Sequence, residues 1–202
     1  MSKEIRKHHD PERAEARRNQ VLDAAAECFR HKGFHGASMA EISKLAGMSA
    51  GHIYNYFASK DEIIFGIVDR NTQDILQRMQ DVASGGRDAY DALIERLPIT
   101  IEENTDLEHV ALMLEVSSEA ARNASVRERL HAADKVLSAR LEELLSSSKK
   151  IPAFQADPQR HARVDMLISL FEGIRHRALH NPELDRQALL ESMRKVIAAI
   201  LT

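Results

Sequence analysis

Two serine-led segments, Ser38-Met39-Ala40-Glu41 and Ser59-Lys60-Asp61-Glu62, constrain this chain more than any other feature. Each is a capping box. The serine oxygen can accept a free backbone N–H at the third helical position, while the glutamate reaches back toward the cap. Between them lies "AGMS", in which Gly47 can take the positive φ of a tight turn and Ser49 supplies a third cap. Helix starts at 38, 49 and 59 leave room only for two short helices and a turn, followed by a long helix that runs to "SGG" at 84–86.

The rest of the chain continues in the same manner. No sustained period-two alternation is present, and helix formers dominate. A first helix is expected over about 13–31, with Leu22, Ala25, Ala26 and Phe29 as its buried stripe and Gly33 as its stop. The second carries Ile42 and Leu45; the third spans 49–57. The fourth carries Ile64, Ile67, Val68, Ile75, Met79 and Val82 over about 35 Å. Further helices are expected over 87–104, where Pro98 marks a kink or an early end, and over 106–121, 125–147, 159–180 and 185–201. Residues 146–158 read as the longest loop. The fold class is all-α, with about nine helices. Three organisational segments follow: a basic arm over 1–12, a helix-turn-helix domain over 13–62, and a larger helical domain over 63–202.

Composition excludes several function classes. With one cysteine, Cys28, the 202-residue chain has no intrachain disulfide and no cysteine zinc cage; Cys28, among apolar neighbours, reads as a small buried hydrophobe. The opening residues are charged, unlike a secretion signal, and "VALML" at 110–114 is too short to span a bilayer. No membrane partner and a cytoplasmic, nucleoid-associated location are therefore expected. The net charge of −3 does not suggest nucleic acid, but residues 1–70 hold 11 Lys+Arg against 10 Asp+Glu, while 71–202 hold 17 against 21. Lys3, Arg6, Lys7, Arg13, Arg17 and Arg18, beside His8 and His9, concentrate the basic bias at the front.

On a wheel of about 100° per residue, Ile53 and Phe57 fall on one side of the third helix. Gly51, His52 and Asn55 fall on the other, flanked by Tyr54 and Tyr56. Such a face suits a DNA major groove. His52 and Asn55 can bond base edges or phosphates, Gly51 admits close approach, and tyrosine hydroxyls can reach the groove walls. Lys60 adds a charge at the next helix start. A solvated helix with packed tyrosines is the plainer reading for any single residue; the caps, the turn and the outward face agree on helix-turn-helix.

The stretch "VLDAAAECFRHKGFHGASMAEISKLAGMSAGHIYNYFASKDEII" closely resembles the DNA-binding domain of the TetR family of transcriptional regulators. It shares the glycine after the first helix, the hydroxyl residue opening the second, "AGMS", Tyr54, Phe57, Lys60 and the acidic residue that follows. The resemblance implies a homodimer that binds double-stranded operator DNA. Ala50, Gly51, His52 and Asn55 would face bases, with Ser49 at their cap, and Ser38, Tyr54, Tyr56 and Lys60 would mostly hold phosphates. It also implies a C-terminal ligand-binding and dimerisation domain. Candidate ligand residues are Met113, Glu115, Glu119, Ile168, Phe171 and Glu172. Candidate dimer residues are Ile174, Leu189, Met193, Val196, Ile197 and Ile200.

Glu115 interrupts an apolar run, and Glu119 lies one turn on. One expectation is an apolar pocket whose carboxylates admit a cationic or amphiphilic effector. The plainer one is that Arg122 or Arg175 neutralises them internally. His176 and His180 are four apart, but Arg175 and Arg177 beside them disfavour a metal. No nucleophile–base grouping or phosphate loop is visible, so neither an enzyme nor a cofactor is expected. The functional expectation is a repressor released from its operator by a small molecule. The alternative is a DNA-bound protein of the same fold that acts through a protein partner, as nucleoid-occlusion factors do.

Overall fold

The computed structural model describes residues 11–202. The expected basic arm lies almost wholly outside the described residues, and Pro11 and Glu12 already belong to the first helix. The elements in chain order are α1 (Pro11–Gly36), α2 (Met39–Leu45), α3 (Ala50–Ile53), α4 (Lys60–Ser84), α5 (Ala89–Asn104), α6 (Leu107–Ala120), α7 (Ala124–Ser146), α8 (Pro152–Ala156), α9 (Arg160–His180) and α10 (Arg186–Leu201). No strand occurs among the described residues. The chain divides into two compact units between Ile67 and Val68, inside α4.

The first unit buries Val21, Leu22, Ala25, Ala26 and Phe29 of α1, Ile42 of α2 and Ala46 just after it, Ile53 and Phe57 around α3, and Ile63, Ile64 and Ile67 of α4. Gly33, at φ 71° and ψ 166°, breaks the helical path of α1 where the sequence places its stop. The chain then turns on to Gly36, burying Phe34 with its ring 5.3 Å from that of Phe29. The third helix is shorter than the expected 49–57. Only Ala50–Ile53 is regular, and tight turns follow, with the Tyr56 and Phe57 N–H groups donating to the Ile53 carbonyl at 2.9 and 3.1 Å. The register nevertheless keeps Ile53 and Phe57 inside.

In the second unit α9 packs against α5, α6, α7 and α10. The core joins Leu97 and Ile101 of α5, Leu145 of α7, Val164, Leu167 and Ile174 of α9, and Leu190, Met193, Ile197 and Leu201 of α10. Of the two readings of Pro98, a kink or an early end, the early end is excluded: α5 continues through it over nearly the expected span. Pro98 is exposed, so solvent can take the Ile94 carbonyl it frees, while the adjacent Leu97 and Ile101 anchor both sides of it in the core. The expected loop 146–158 contains a tenth helix, α8, because Ile151 and Phe154 are buried and Pro152 occupies a first-turn position. Asp88 clamps this segment: its carboxylate accepts from the Ser148 hydroxyl at 2.6 Å and the Lys149 N–H at 2.8 Å.

Candidate nucleic-acid interface

The turn before α3 is built from local chemistry. Ser38 caps α2 in a reciprocal box, its oxygen accepting from the Glu41 N–H at 3.2 Å and its own N–H donating to Glu41 Oε2 at 3.1 Å. Gly47 takes φ +61°, and the Ser43 hydroxyl donates to the Met48 carbonyl at 2.6 Å, closing the turn. Ser49 then caps α3 through the His52 N–H at 3.3 Å.

Two side chains of α1 complete the support. Gln20 Nε2 donates to the Ala46 carbonyl at 2.8 Å, holding the end of α2. Arg18 lies 4.3 Å over the Phe57 ring and reaches the Tyr56 carbonyl at 3.5 Å. In the sequence Arg18 counts only toward the basic bias at the front, and Gln20 carries no signal. Their partners lie 26 and 38 residues away, and no local spacing signals such a contact.

The outward face forms as the helical wheel places it. Ser49, Ala50, Gly51, His52, Tyr54 and Asn55 are exposed and Tyr56 is half-buried, while Ile53 and Phe57 are 0% and 1% exposed. The His52 and Tyr56 rings meet edge to face at 5.3 Å, which orients both on the same side. The face therefore offers imidazole, carboxamide and phenol groups with nothing of this unit covering them, held by an apolar underside that cannot rotate out.

Two of the expected phosphate-binding residues have other work. The Lys60 ammonium donates to the carbonyls of Phe34 at 2.7 Å and Ala37 at 2.8 Å and lies 4.7 Å over the Phe34 ring. It ties the start of α4 to the end of α1 and keeps one N–H for an outside anion. The Ser38 hydroxyl donates to Glu41 Oε2 at 3.1 Å, and Lys32 pairs with the other oxygen of that carboxylate. Those two partners hold the Glu41 carboxyl below its ordinary range, Lys32 most strongly. A phosphate would reach Ser38 only by displacing Glu41.

The capped α2, the Gly47 turn and the exposed α3 face make a helix-turn-helix, and comparison with known proteins agrees over both units. Residues 21–67 match the model for bacterial regulatory proteins of the tetR family, and residues 86–202 match that of the BetI-type transcriptional repressor C-terminal domain. The chain belongs to the TetR family. Among its TetR-family relatives is the HTH-type transcriptional regulator UidR of Escherichia coli K12, 26% identical over 195 residues, which cover 94% of this chain and 95% of that protein. Salmonella enterica GusR superposes with a TM-score of 0.76 at 25% identity, covering 92% of this chain and 95% of that one. Bacillus subtilis FadR, solved in complex with stearoyl-CoA, shares the fold, with a TM-score of 0.72 at 20% identity and coverage of 91% and 97%. This TetR-family chain is a helix-turn-helix transcriptional regulator. No described helix is long and apolar enough to cross a membrane.

The residues singled out in the second unit separate into distinct environments. Glu119 is 2% exposed, Glu115 is half-buried, and both already engage neighbouring groups. Glu172 lies on the exposed side of α9. Met113, Ile168 and Phe171 are half-buried, the last two packed against the core. Of the six candidate dimer residues, Ile174, Met193 and Ile197 are core side chains of their own unit, Leu189 and Ile200 are partly buried against that core, and Val196 is 40% exposed.

Proposed function

We propose that the protein is a homodimeric repressor whose two α3 faces enter successive major grooves of an operator and whose second unit binds a small molecule that releases the DNA. The observation that carries the DNA half is the exposed row His52, Tyr54, Asn55 and Tyr56 above the buried pair Ile53 and Phe57. Asn55 and His52 have the donors and acceptors for base edges, and the tyrosine hydroxyls suit phosphates. In this reading the first unit serves DNA, and the second serves ligand and dimerisation. Exposed apolar side chains on α9 and α10, Met166 at 57%, Leu179 at 43% and Val196 at 40%, supply a face that a second copy can cover. A dimer would space its recognition helices about 34–36 Å apart, one turn of DNA.

The BetI-type match supports a repressor, and the stearoyl-CoA held by Bacillus subtilis FadR supports an amphiphilic effector. Release requires the ligand to bind the non-operator conformation more tightly. A shift from 1:99 to 99:1 needs about 5.5 kcal/mol of difference. Operator must then weaken the ligand by the same factor that ligand weakens operator. Anisotropy titration of a duplex selected from a randomised pool, run with and without effector, tests this. Equal ligand affinity for free and DNA-bound protein would remove the repressor–effector reading and favour a DNA-bound protein that acts through a protein partner.

A further inference from the structure

A cluster of charged side chains inside the second unit bears on what that effector is. Glu103 of α5 accepts from Arg78 of α4 at 3.2 Å and from Arg96 of α5 at 3.1 Å, so two guanidinium groups share one carboxylate. Arg175 of α9 adds a third guanidinium, whose Nε is buried with no hydrogen-bond partner. The carboxylate whose field reaches Arg175 is Glu172, on the exposed side of the helix. His109 of α6 completes the group, within electrostatic reach of Arg175, Arg78, Asp106 and Glu103. The Asp106 carboxylate is already engaged as the cap of α6, accepting from the His109 N–H at 2.7 Å. Glu103 is shared by two guanidinium groups, Asp106 caps a helix and Glu172 stands on the exposed side, so the buried Arg175 Nε is left without an acceptor.

A buried, unsatisfied guanidinium donor is costly, and a fold keeps one where an incoming group repays it. Two environmental effects show the same imbalance. Burial pushes the Arg175 guanidinium down from its ordinary value. Burial and then the Arg175 charge hold the His109 ring below its usual range, despite Asp106 and Glu103 pulling the other way. Half-buried apolar side chains adjoin the cluster. Phe171 and Ile168 lie one and two turns back from Arg175 on the same side of α9, and Met113 lies one turn on from His109 in α6.

We propose that Arg175 and His109 receive the acidic headgroup of the effector, a carboxylate or phosphate, and that Phe171, Ile168 and Met113 meet its apolar body. The site rests on the repressor–effector reading and reverses the sign that Glu115, Glu119 and Glu172 suggested from sequence. Arg175 supplies the charge-assisted donor and its planar fork. His109 gains a proton more readily once an anion lies beside it.

Calorimetric titration with matched ten-carbon probes tests the proposal: decanoate, decyl phosphate and decyltrimethylammonium. An acidic probe should bind the wild-type protein more tightly than the ammonium, and the better of the two acids identifies the headgroup. Arg175→Met should weaken that acid by about tenfold or more, and Arg175→Lys should retain part of the affinity. Without ligand, Arg175→Met should raise the melting temperature by about 2–4 °C, since an apolar chain replaces a buried donor that has no acceptor. Tighter binding of the ammonium, no binding of either acid, an acid affinity indifferent to Arg175→Met, or a lower melting temperature in that variant would each overturn the assignment. Operator release measured in parallel separates the two ideas. Acid binding without release keeps the site and removes the effector reading; release by the ammonium alone keeps the effector reading and removes the site.

Discussion

The Lys60 ammonium sits 2.7 Å from the carbonyl oxygen of Phe34, a residue that follows the break in α1 at Gly33. With its second bond, to the carbonyl of Ala37, it holds the last turn of α1 and the residue just past it. The residue is therefore a joint in the scaffold that holds α3. Lys60→Met should lower the stability of the protein by about 1–2 kcal/mol, allowing for its partial exposure. Denaturant titration checks this. An unchanged midpoint would mean that Lys60 serves only an outside anion.

Gly66 is a buried helical glycine of α4 whose absent side chain makes room. A Cβ there would meet Leu22 Cδ2 at 2.8 Å, Phe57 Cε1 at 3.0 Å and Arg18 Nη2 at 3.3 Å. Alanine is the better helix former, yet Gly66→Ala should destabilise by about 1–3 kcal/mol, because two core side chains and the arginine beneath the α3 turn must shift. DNA affinity should fall along with stability. A stabilised variant would show that α4 does not need this close approach.

Ser38→Ala removes the α2 cap while leaving the α3 face intact. It should cost about 1 kcal/mol and lower the melting temperature, since the Glu41 N–H loses its acceptor. Affinity for a selected duplex, measured well below the melting temperature, should change little, because the Ser38 hydroxyl is already engaged with Glu41. A large loss of affinity at unchanged stability would restore Ser38 as a phosphate contact.

His109 predicts a pH dependence. Its folded proton affinity is lowered by burial first and by Arg175 and Arg78 after it, against Asp106 and Glu103. The unfolded chain therefore binds that proton more readily. The contribution of the neutral ring is full above the ordinary value of 6.5 and is lost as pH falls below it. Between about pH 7.5 and about pH 5.5 the wild-type melting temperature should fall further than that of His109→Gln. Equal slopes would mean that folding leaves the proton affinity of the ring unchanged.

How much of this was legible in the sequence depends on the range of each interaction. The Ser38–Glu41 box, the Gly47 turn and the inward pair Ile53 and Phe57 are set within a few residues, and all appear as the sequence implies. The second box is shifted. Glu62 accepts from the Ala58 N–H at 2.8 Å, one residue earlier than the pattern suggests, while Ser59 keeps its role toward the Glu62 N–H. The supports from Arg18, Gln20 and Lys60 depend on partners 23 to 38 residues away and leave no local trace. The orientations of α9 and α10 were equally hidden. Ile174, Met193, Val196 and Ile197 stand together as dimer candidates in the sequence, yet the core of their own unit takes Ile174, Met193 and Ile197 and leaves Val196 and Met166 outside.

The central claim is that the α3 face reads DNA, and the double substitution His52→Ala/Asn55→Ala tests it most directly. Both side chains are exposed, so the fold should survive their loss. Anisotropy titration on the duplex that the wild-type protein selects from a randomised pool should show specific affinity falling by about tenfold or more, with the salt dependence nearly unchanged because the phosphate contacts remain. A double variant that binds the selected duplex as tightly as the wild type, with the same preference over random sequence, would contradict the account.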